Sequence, residues 1–309
     1  MEPHLILGIG ELLWDVLPEG ARLGGAPANF AVMAGRLGNH AAVLSRVGRD
    51  ALGREAVDLL SGFPVDTEFL QVDAEHETGR VTVALKDGQP EYTIHEPAAW
   101  DFLELSDEWV ALAERADAVC FGSLAQRGVA ARKTVQELVA QTRKECVRVF
   151  DVNLRTPFYW GAVIEESLDL ATVFKMNDAE VPVVMGLLGL DQPELSAEGG
   201  LKDAALRLLE EFPRLRLVAI TRGGNGSLLV AQDEVNEHPG VAVKVADTIG
   251  AGDAFTAALT HYLLRGAGLD VLNEAGNRWG AWVASQRGAM PELSDAVRSG
   301  ITRQIEALK

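Results

Sequence analysis

Short apolar runs rich in β-branched residues alternate along the chain with longer amphipathic ones. Residues 41–47, 118–121, 147–152, 173–176 and 215–221 read as buried strands. Between them, residues 51–60, 130–142, 164–170 and 201–211 repeat apolar positions at helical spacing. Parallel strands need long crossovers, and helices supply them, so the alternation predicts an α/β fold: a mainly parallel central sheet flanked by helices. Ligands of such sheets bind beyond the carboxyl ends of the strands.

One region departs from this pattern. Residues 78–85 and 91–95 alternate polar and apolar around Lys86-Asp87-Gly88-Gln89, which reads as a hairpin turn, and residues 12–16 are expected to pair with them. A small sheet without helices over it fits a β-sheet lid, formed discontinuously by about residues 11–26 and 78–100. Its apolar face would need covering by a ligand or by a second subunit, so a homodimer through the lid is one expectation.

Composition narrows the partners. Of 309 residues 48% are hydrophobic and 24% charged, as in an ordinary globular protein. Lys plus Arg number 28 and Asp plus Glu 45, so 28 − 45 gives −17. That surface repels nucleic acid and anionic membranes. It also repels free nucleotide at long range, so a nucleotide site must be locally positive or use a metal ion. Cys120 and Cys146 lie in apolar stretches that read as strands, which predicts buried thiols, and no metal-ligand spacing is present. No basic region followed by an apolar core opens the chain and no apolar run approaches membrane-spanning length, so a cytoplasmic location is expected.

The densest chemistry lies in Asp247-Thr248-Ile249-Gly250-Ala251-Gly252-Asp253, which runs into the apolar, helix-like Ala254-Phe255-Thr256-Ala257-Ala258-Leu259. Glycines ahead of a helix let the backbone turn its N–H groups outward, where unpaired donors and partial positive charge already gather. Such a turn suits phosphate oxygens. A carboxylate at its lip is repelled by phosphate, and accepting a proton from a hydroxyl that attacks phosphorus gives it a reason to stand there. Asp253 is therefore the candidate base, with the backbone N–H groups of Gly250, Ala251 and Gly252 as the phosphoryl cradle. A place near a helix N-terminus predicts a low pKa for Asp253. The competing reading makes it an ordinary N-cap.

A second glycine element, Leu23-Gly24-Gly25-Ala26-Pro27-Ala28-Asn29, also leads into a helix. Gly24 and Gly25 admit a ligand close to the backbone, Pro27 suits a first helical turn, and the Asn29 amide both donates and accepts, which suits sugar hydroxyls. A tight turn with an Asn of no special role is the competing reading.

Together the two segments closely resemble the Gly-Gly-x-x-x-Asn and Asp-Thr-x-Gly-Ala-Gly-Asp signatures of the ribokinase-like, or PfkB, carbohydrate kinase family. Weaker likenesses in the family's order extend the resemblance over nearly the whole chain: Gly10-Glu11-Leu12-Leu13-Trp14-Asp15, Arg46-Val47-Gly48-Arg49-Asp50, Asp151-Val152-Asn153-Leu154-Arg155 with Trp160, Asn177-Asp178-Ala179-Glu180, and Thr221-Arg222-Gly223-Gly224-Asn225-Gly226. The resemblance implies a single ribokinase-like kinase domain over 1–309 that uses ATP and Mg2+, with K+ as an activator in some relatives. It implies that Asp15, Gly24, Gly25 and Asn29 surround the sugar and that Arg155 meets phosphate or substrate. Asn177 and Glu180 would organise magnesium through its waters. Thr221, Arg222, Gly223 and Gly226 would lie under the nucleotide and Asn277 beside adenine. Asp247 and the carbonyl of Ile249 resemble a monovalent-cation site. Plainer readings compete: a turn cap for Asp15, a surface salt bridge for Arg155, a helix-start capping pattern for Asn177 and Glu180, a hairpin between Ala219 and Leu229, and a structural carboxylate for Asp247.

Gly-Gly-Ala-Pro-Ala-Asn and Asp-Val-Asn-Leu-Arg look more like fructokinases than ribokinases. The expectation is therefore ATP-dependent phosphorylation of a primary hydroxyl, with fructose going to fructose 6-phosphate. A kinase for a sugar acid such as 2-keto-3-deoxygluconate is the alternative; Arg22, Lys86, His95 and Arg155 are the cations available to its carboxylate, and His95 is counted with the substrate-binding residues. A nucleoside kinase would want aromatic faces, for which Trp14, Tyr92, Trp100 and Phe102 are candidates. From another class, a kinase-shaped sugar sensor without turnover is the remaining alternative. No Gly-x-x-x-x-Gly-Lys-Ser/Thr occurs and Gly8-Ile9-Gly10 lacks a third glycine, which disfavours P-loop and dinucleotide-binding proteins.

Overall fold

Strands and helices alternate as the periodicity predicts, in a computed structural model that describes residues 3–17, 20–86, 89–190 and 200–308. The first part of the chain runs β1 (Leu5–Ile9), β2 (Leu13–Leu17), β3 (Gly20–Gly24), α1 (Ala26–Arg36), β4 (His40–Leu44), β5 (Arg46–Gly48), α2 (Ala51–Ser61) and β6 (Gln71–Asp73). It continues with β7 (Gly79–Lys86), β8 (Gln89–Ile94), α3 (Asp107–Ala113), β9 (Ala118–Gly122), α4 (Val129–Gln141), β10 (Val147–Asp151), α5 (Gly161–Leu170) and β11 (Val173–Asn177). The last part holds α6 (Val181–Leu187), α7 (Gly200–Glu211), β12 (Leu217–Thr221), β13 (Ser227–Val230), β14 (Val235–His238), α8 (Ala251–Leu263), α9 (Leu269–Ala284) and α10 (Asp295–Glu306).

Eight strands form the main sheet in the order β14-β13-β12-β11-β10-β9-β1-β4. All its pairings are parallel except those of β13, which joins β12 and β14 antiparallel. Strands buried on both faces read as continuous apolar runs because alternate residues feed two cores. Leu7 and Ile9 of β1 pack with α3 to α7, whereas Ile6 packs with α1, α2, α8, α9 and α10. Phe121, Phe150 and Phe174 stack across β9, β10 and β11 at 5.3 and 5.5 Å between ring centres. Fully burying an aromatic of this size contributes about 1.5–3 kcal/mol, so the ladder fixes the middle of the sheet.

Two details differ from the sequence reading. Residues 41–47 break after Leu44, because β1 offers pairing partners only as far as Ile9↔Leu44; β5 then turns away to pair with β6. Cys120 is buried within β9, and buried Cys146 lies one residue ahead of β10 rather than inside it.

The region expected to depart from the alternation forms a separate four-stranded sheet, β3-β2-β7-β8, in which β2 and β7 are parallel. Its hairpin turn at Asp87 and Gly88 lies outside the described residues. Leu13 and Val81 face a small core with Trp100 and Leu124. Among the described residues no helix is long and apolar enough to cross a membrane.

Candidate active site

A cavity of about 760 Å³ opens between the four-stranded sheet and the carboxyl ends of the main strands. Asn177 and Thr221, the last residues of β11 and β12, line it, as do Glu11 beyond β1 and Asn153 beyond β10. Leu13, Asp15, Val81 and Ile94 of the small sheet form the opposite wall.

The N-terminus of α8 points into this space. Its N-cap is Gly250, in the left-handed conformation at φ 79°, and no side chain caps the first turn. A Cβ at Gly250 would lie 2.6 Å from the Ala289 Cα, so the turn requires glycine for both conformation and room. Gly250, Ala251 and Gly252 all line the cavity, leaving the helix's first N–H groups to a ligand. Asp253 sits in the first turn and not at the N-cap, which removes the plain capping reading.

Asp253 Oδ2 accepts a hydrogen bond from Asn29 Nδ2 at 2.7 Å. Asn29 comes from the second turn of α1, so the two glycine elements, 224 residues apart, meet at one carboxylate. The low pKa expected from the helix terminus is not found. Burial, then the nearby charge of Asp151, raise the Asp253 carboxyl to about 6, against the weaker lowering influence of Asn29, Lys175 and Arg155. The local dipole is outweighed by desolvation and a like charge brought in by the fold.

Beneath the turn lies a feature that sequence reasoning missed. Lys175 of β11 is 7% exposed, and its Nζ donates to Asp151 Oδ1 at 3.0 Å. Asp151 Oδ2 accepts from Thr256 Oγ1 at 3.0 Å. A Cβ on Gly252 would stand 3.1 Å from the Lys175 ammonium, which places this cation directly under the glycine turn. The signal was a lone lysine in the apolar run Val173-Phe174-Lys175-Met176, where an unpaired charge would be costly to bury.

The other end of the cavity is acidic. Asp15 lines it, and Gly24 makes room for that side chain: a Cβ there would lie 2.8 Å from Asp15 Oδ2. Gly25 lines the cavity; Gly24 does not. Glu11, also missed, is 3% exposed, and its Oε2 is buried without a partner. Burial raises its pKa to about 7, opposed by its own backbone N–H and by Arg155. Arg155 is the cation of this end. His95 is absent from the wall: its ring bonds Thr82 Oγ1 at 3.0 Å. Trp14 is buried and donates to the Leu52 carbonyl, Trp100 is buried in the small core, and Phe102 stacks on His76. None of these three aromatics lines the cavity. The side chains of Lys86 and Tyr92 lie outside the described residues.

The far end is walled by Thr221, Gly223, Gly224, Gly226, Asn277 and the small residues Gly276, Gly280, Ala281 and Ala284. Arg222 does not face it; its guanidinium reaches back to Glu237 and to the His238 carbonyl, pinning β14 to the turn between β12 and β13. The hairpin reading holds as well, since Ala219 pairs with Leu229. Asn277 lines the cavity while donating to Ser227 Oγ at 2.6 Å. Val241, Val243 and Val245 also line this end, and Val245 is 60% exposed. Asn177 and Glu180 form a reciprocal cap: Glu180 Oε2 accepts from the Asn177 N–H at 2.8 Å, and Asn177 Oδ1 accepts from the Glu180 N–H at 2.9 Å. Glu180 Oε1 takes the Leu154 N–H, so the capping reading applies and Glu180 stays outside the cavity wall. Ile249 lines the cavity and Asp247 does not.

Comparison with known proteins gives one answer. The pfkB family carbohydrate kinase profile matches residues 20–296. A Pyrococcus horikoshii protein described as an uncharacterized sugar kinase is 34% identical over 285 residues, which span 87% of this chain and 85% of its own. Its crystal structure in complex with ATP matches with a TM-score of 0.81 at 31% identity, covering 97% of this chain and 99% of that one. The Vibrio alginolyticus fructokinase is 31% identical over 310 residues, 92% of this chain and 94% of its own. The Vibrio cholerae fructokinase, solved with fructose, ADP and calcium ion bound, matches with a TM-score of 0.80 at 28% identity over 96% of this chain and 98% of that one. With its ribokinase-like fold and these relatives, the chain belongs to the pfkB family of carbohydrate kinases.

Proposed function

We propose that this sugar kinase transfers the γ-phosphoryl group of ATP to a primary hydroxyl of a neutral sugar, fructose before others, giving fructose 6-phosphate and ADP. The observation that carries the reading is the Asn29–Asp253 contact at the mouth of the α8 turn, 2.7 Å long. It aims a carboxylate that is largely ionised at neutral pH at the space between the acidic end of the cavity and the glycine turn. Asp253 takes the hydroxyl proton as the sugar oxygen bonds to phosphorus and the bond from phosphorus to the bridging oxygen of ADP breaks. The N–H groups of Gly250, Ala251 and Gly252 hold the phosphoryl oxygens as charge gathers on them, with the Lys175 ammonium below.

The sugar belongs against Asp15, Glu11 and Asn29, whose polar atoms suit hydroxyl groups. A sugar acid would set its carboxylate among Glu11, Asp15 and Asp253, with Arg155 as the cation at that end and Lys175 already paired with Asp151 beneath the turn. That balance favours a neutral substrate. A nucleoside finds no tryptophan or phenylalanine face at this end among the described residues. Fructokinases among the relatives support fructose. Adenine suits the far end, where small residues of α9 leave a slot and exposed valines would gain cover from a flat apolar ring. Among the described residues no group of three His, Cys, Asp or Glu converges to cage a metal ion. Magnesium would therefore arrive on the nucleotide's phosphates and keep much of its water.

The test is ATP-dependent turnover by the purified chain across fructose, ribose, glucose, 2-keto-3-deoxygluconate and adenosine. Fructose should give the highest kcat/KM and the 6-phosphate as product. A higher kcat/KM on the sugar acid or on the nucleoside would overturn the substrate assignment.

A further inference from the structure

The family resemblance implies a monovalent-cation site at Asp247 and the Ile249 carbonyl, yet the carboxylate there is already engaged. Asp247 Oδ1 accepts the Ile249 N–H at 3.0 Å. Its Oδ2 accepts the Gly288 N–H at 3.1 Å and Arg22 Nη1 at 2.9 Å. Three of roughly four acceptor positions on a carboxylate are thus taken, one of them by a full positive charge. A second cation against the same oxygen would be repelled by the guanidinium at contact range. The Asp247 side chain is 16% exposed, so water screens that repulsion incompletely. Arg22 arrives from β3, where it stands opposite Asp15 in the register with β2.

We infer that Arg22 occupies the place of the activating cation and that this kinase turns over without K+. The inference rests on the 247–253 turn being the phosphoryl loop proposed above. A potassium ion exchanges with the solvent, whereas this charge is tied to the small sheet that walls the sugar end. Arg22 is a positioning residue: through Asp247 it holds the turn that carries Gly250 and Gly252. Its charge also links the turn to the sheet bearing Asp15, so the phosphoryl loop and the sugar wall are anchored to each other by chemistry the chain supplies itself.

The test compares the wild-type protein at equal ionic strength in potassium, sodium and tetramethylammonium chlorides, by thermal melting and by turnover. A cation bound well above its Kd would raise the melting temperature by a few degrees. Expected instead are one melting temperature in all three salts and rates that agree within about twofold. Arg22→Ala supplies the converse: the freed carboxylate should gain a potassium-dependent rise in melting temperature, and its lowered kcat should partly recover in potassium. Arg22→Lys, which keeps a charge, should show neither effect. Wild-type protein that melts a few degrees higher in potassium than in tetramethylammonium, or turns over about tenfold faster, overturns the inference. So does an Arg22→Ala protein that is indifferent to potassium. Absence of turnover in every salt would refute the proposed reaction and, with it, potassium-free turnover; the place of Arg22 is then read from melting alone, where a potassium-dependent rise for Arg22→Ala and none for wild type supports it and the reverse overturns it.

Discussion

As the proposed base Asp253 must be charged, whereas its buried place in the fold favours the neutral form, so replacing it should harm activity and help stability. Its pKa rises from 3.8 to about 6, chiefly through burial and then through Asp151. At about 1.36 kcal/mol per pH unit, that rise corresponds to at most about 3 kcal/mol, less whatever water in the open cavity screens. The sign follows from proton binding. The folded state holds the proton more tightly, so between about pH 4 and pH 6 the unfolded chain releases it first and stability falls as pH rises. The cost is fully present above the folded value and absent below the unfolded one. Asn at this position cannot ionise and still offers an oxygen to Asn29 Nδ2. Asp253→Asn should therefore melt a few degrees above wild type at about pH 8, with the advantage fading to nothing near pH 4. Thermal denaturation of both proteins across that range, followed by circular dichroism, reads the difference directly. A variant less stable than wild type at about pH 8, or one whose gain is the same at every pH, would refute the reasoning.

The same titration should appear in catalysis. kcat/KM should fall about tenfold per pH unit below a midpoint near the Asp253 value of about 6, because the protonated acid cannot accept the hydroxyl proton. Glu11 is raised to about 7 and is the rival for that limb, so a limb that vanishes in Glu11→Gln would reassign it. Lys175→Met takes the cation away from buried Asp151, leaving it the Thr256 hydroxyl, and should destabilise the fold by about 3–5 kcal/mol, measured by urea denaturation. It should also move the acid limb to higher pH, since Lys175 lowers the Asp253 pKa. Gly250→Ala imposes a side chain on a left-handed residue whose Cβ would meet Ala289, and it should lose about 1–2 kcal/mol and much of kcat.

Local patterns carried a great deal of the architecture. The strands at 118–121 and 173–176 and the helices at 51–60 and 201–211 lie within a residue or two of their observed bounds, because periodicity is a local property that tertiary packing here reinforces. The Gly250 turn was legible for the same reason: only glycine adopts its backbone without strain. What sequence could not show were quantities set by convergence. Asn29 and Asp253 are 224 positions apart and Arg22 and Asp247 are 225 apart, so neither contact has a local signature. Local reasoning placed the Asp253 pKa low from its helix terminus, whereas Asp151 and burial, both products of the fold, decide it. Glu180 and Arg222 fit the family's motifs, yet their side chains serve the backbone around them and not the cavity. Val241, Val243 and Val245 line the cavity from a segment outside any strand or helix, which no periodicity rule distinguishes from an ordinary edge.

Phosphoryl transfer from ATP to fructose, followed side by side in wild type and Asp253→Asn with fructose binding measured on both, probes the role of the α8 turn most directly. The wild-type protein should form fructose 6-phosphate and ADP in equal amounts. The variant should bind fructose about as well while kcat falls by about a hundredfold or more, the share that a positioned base supplies. A variant that keeps a near-normal kcat, or a wild-type protein that forms no sugar phosphate, would contradict the account.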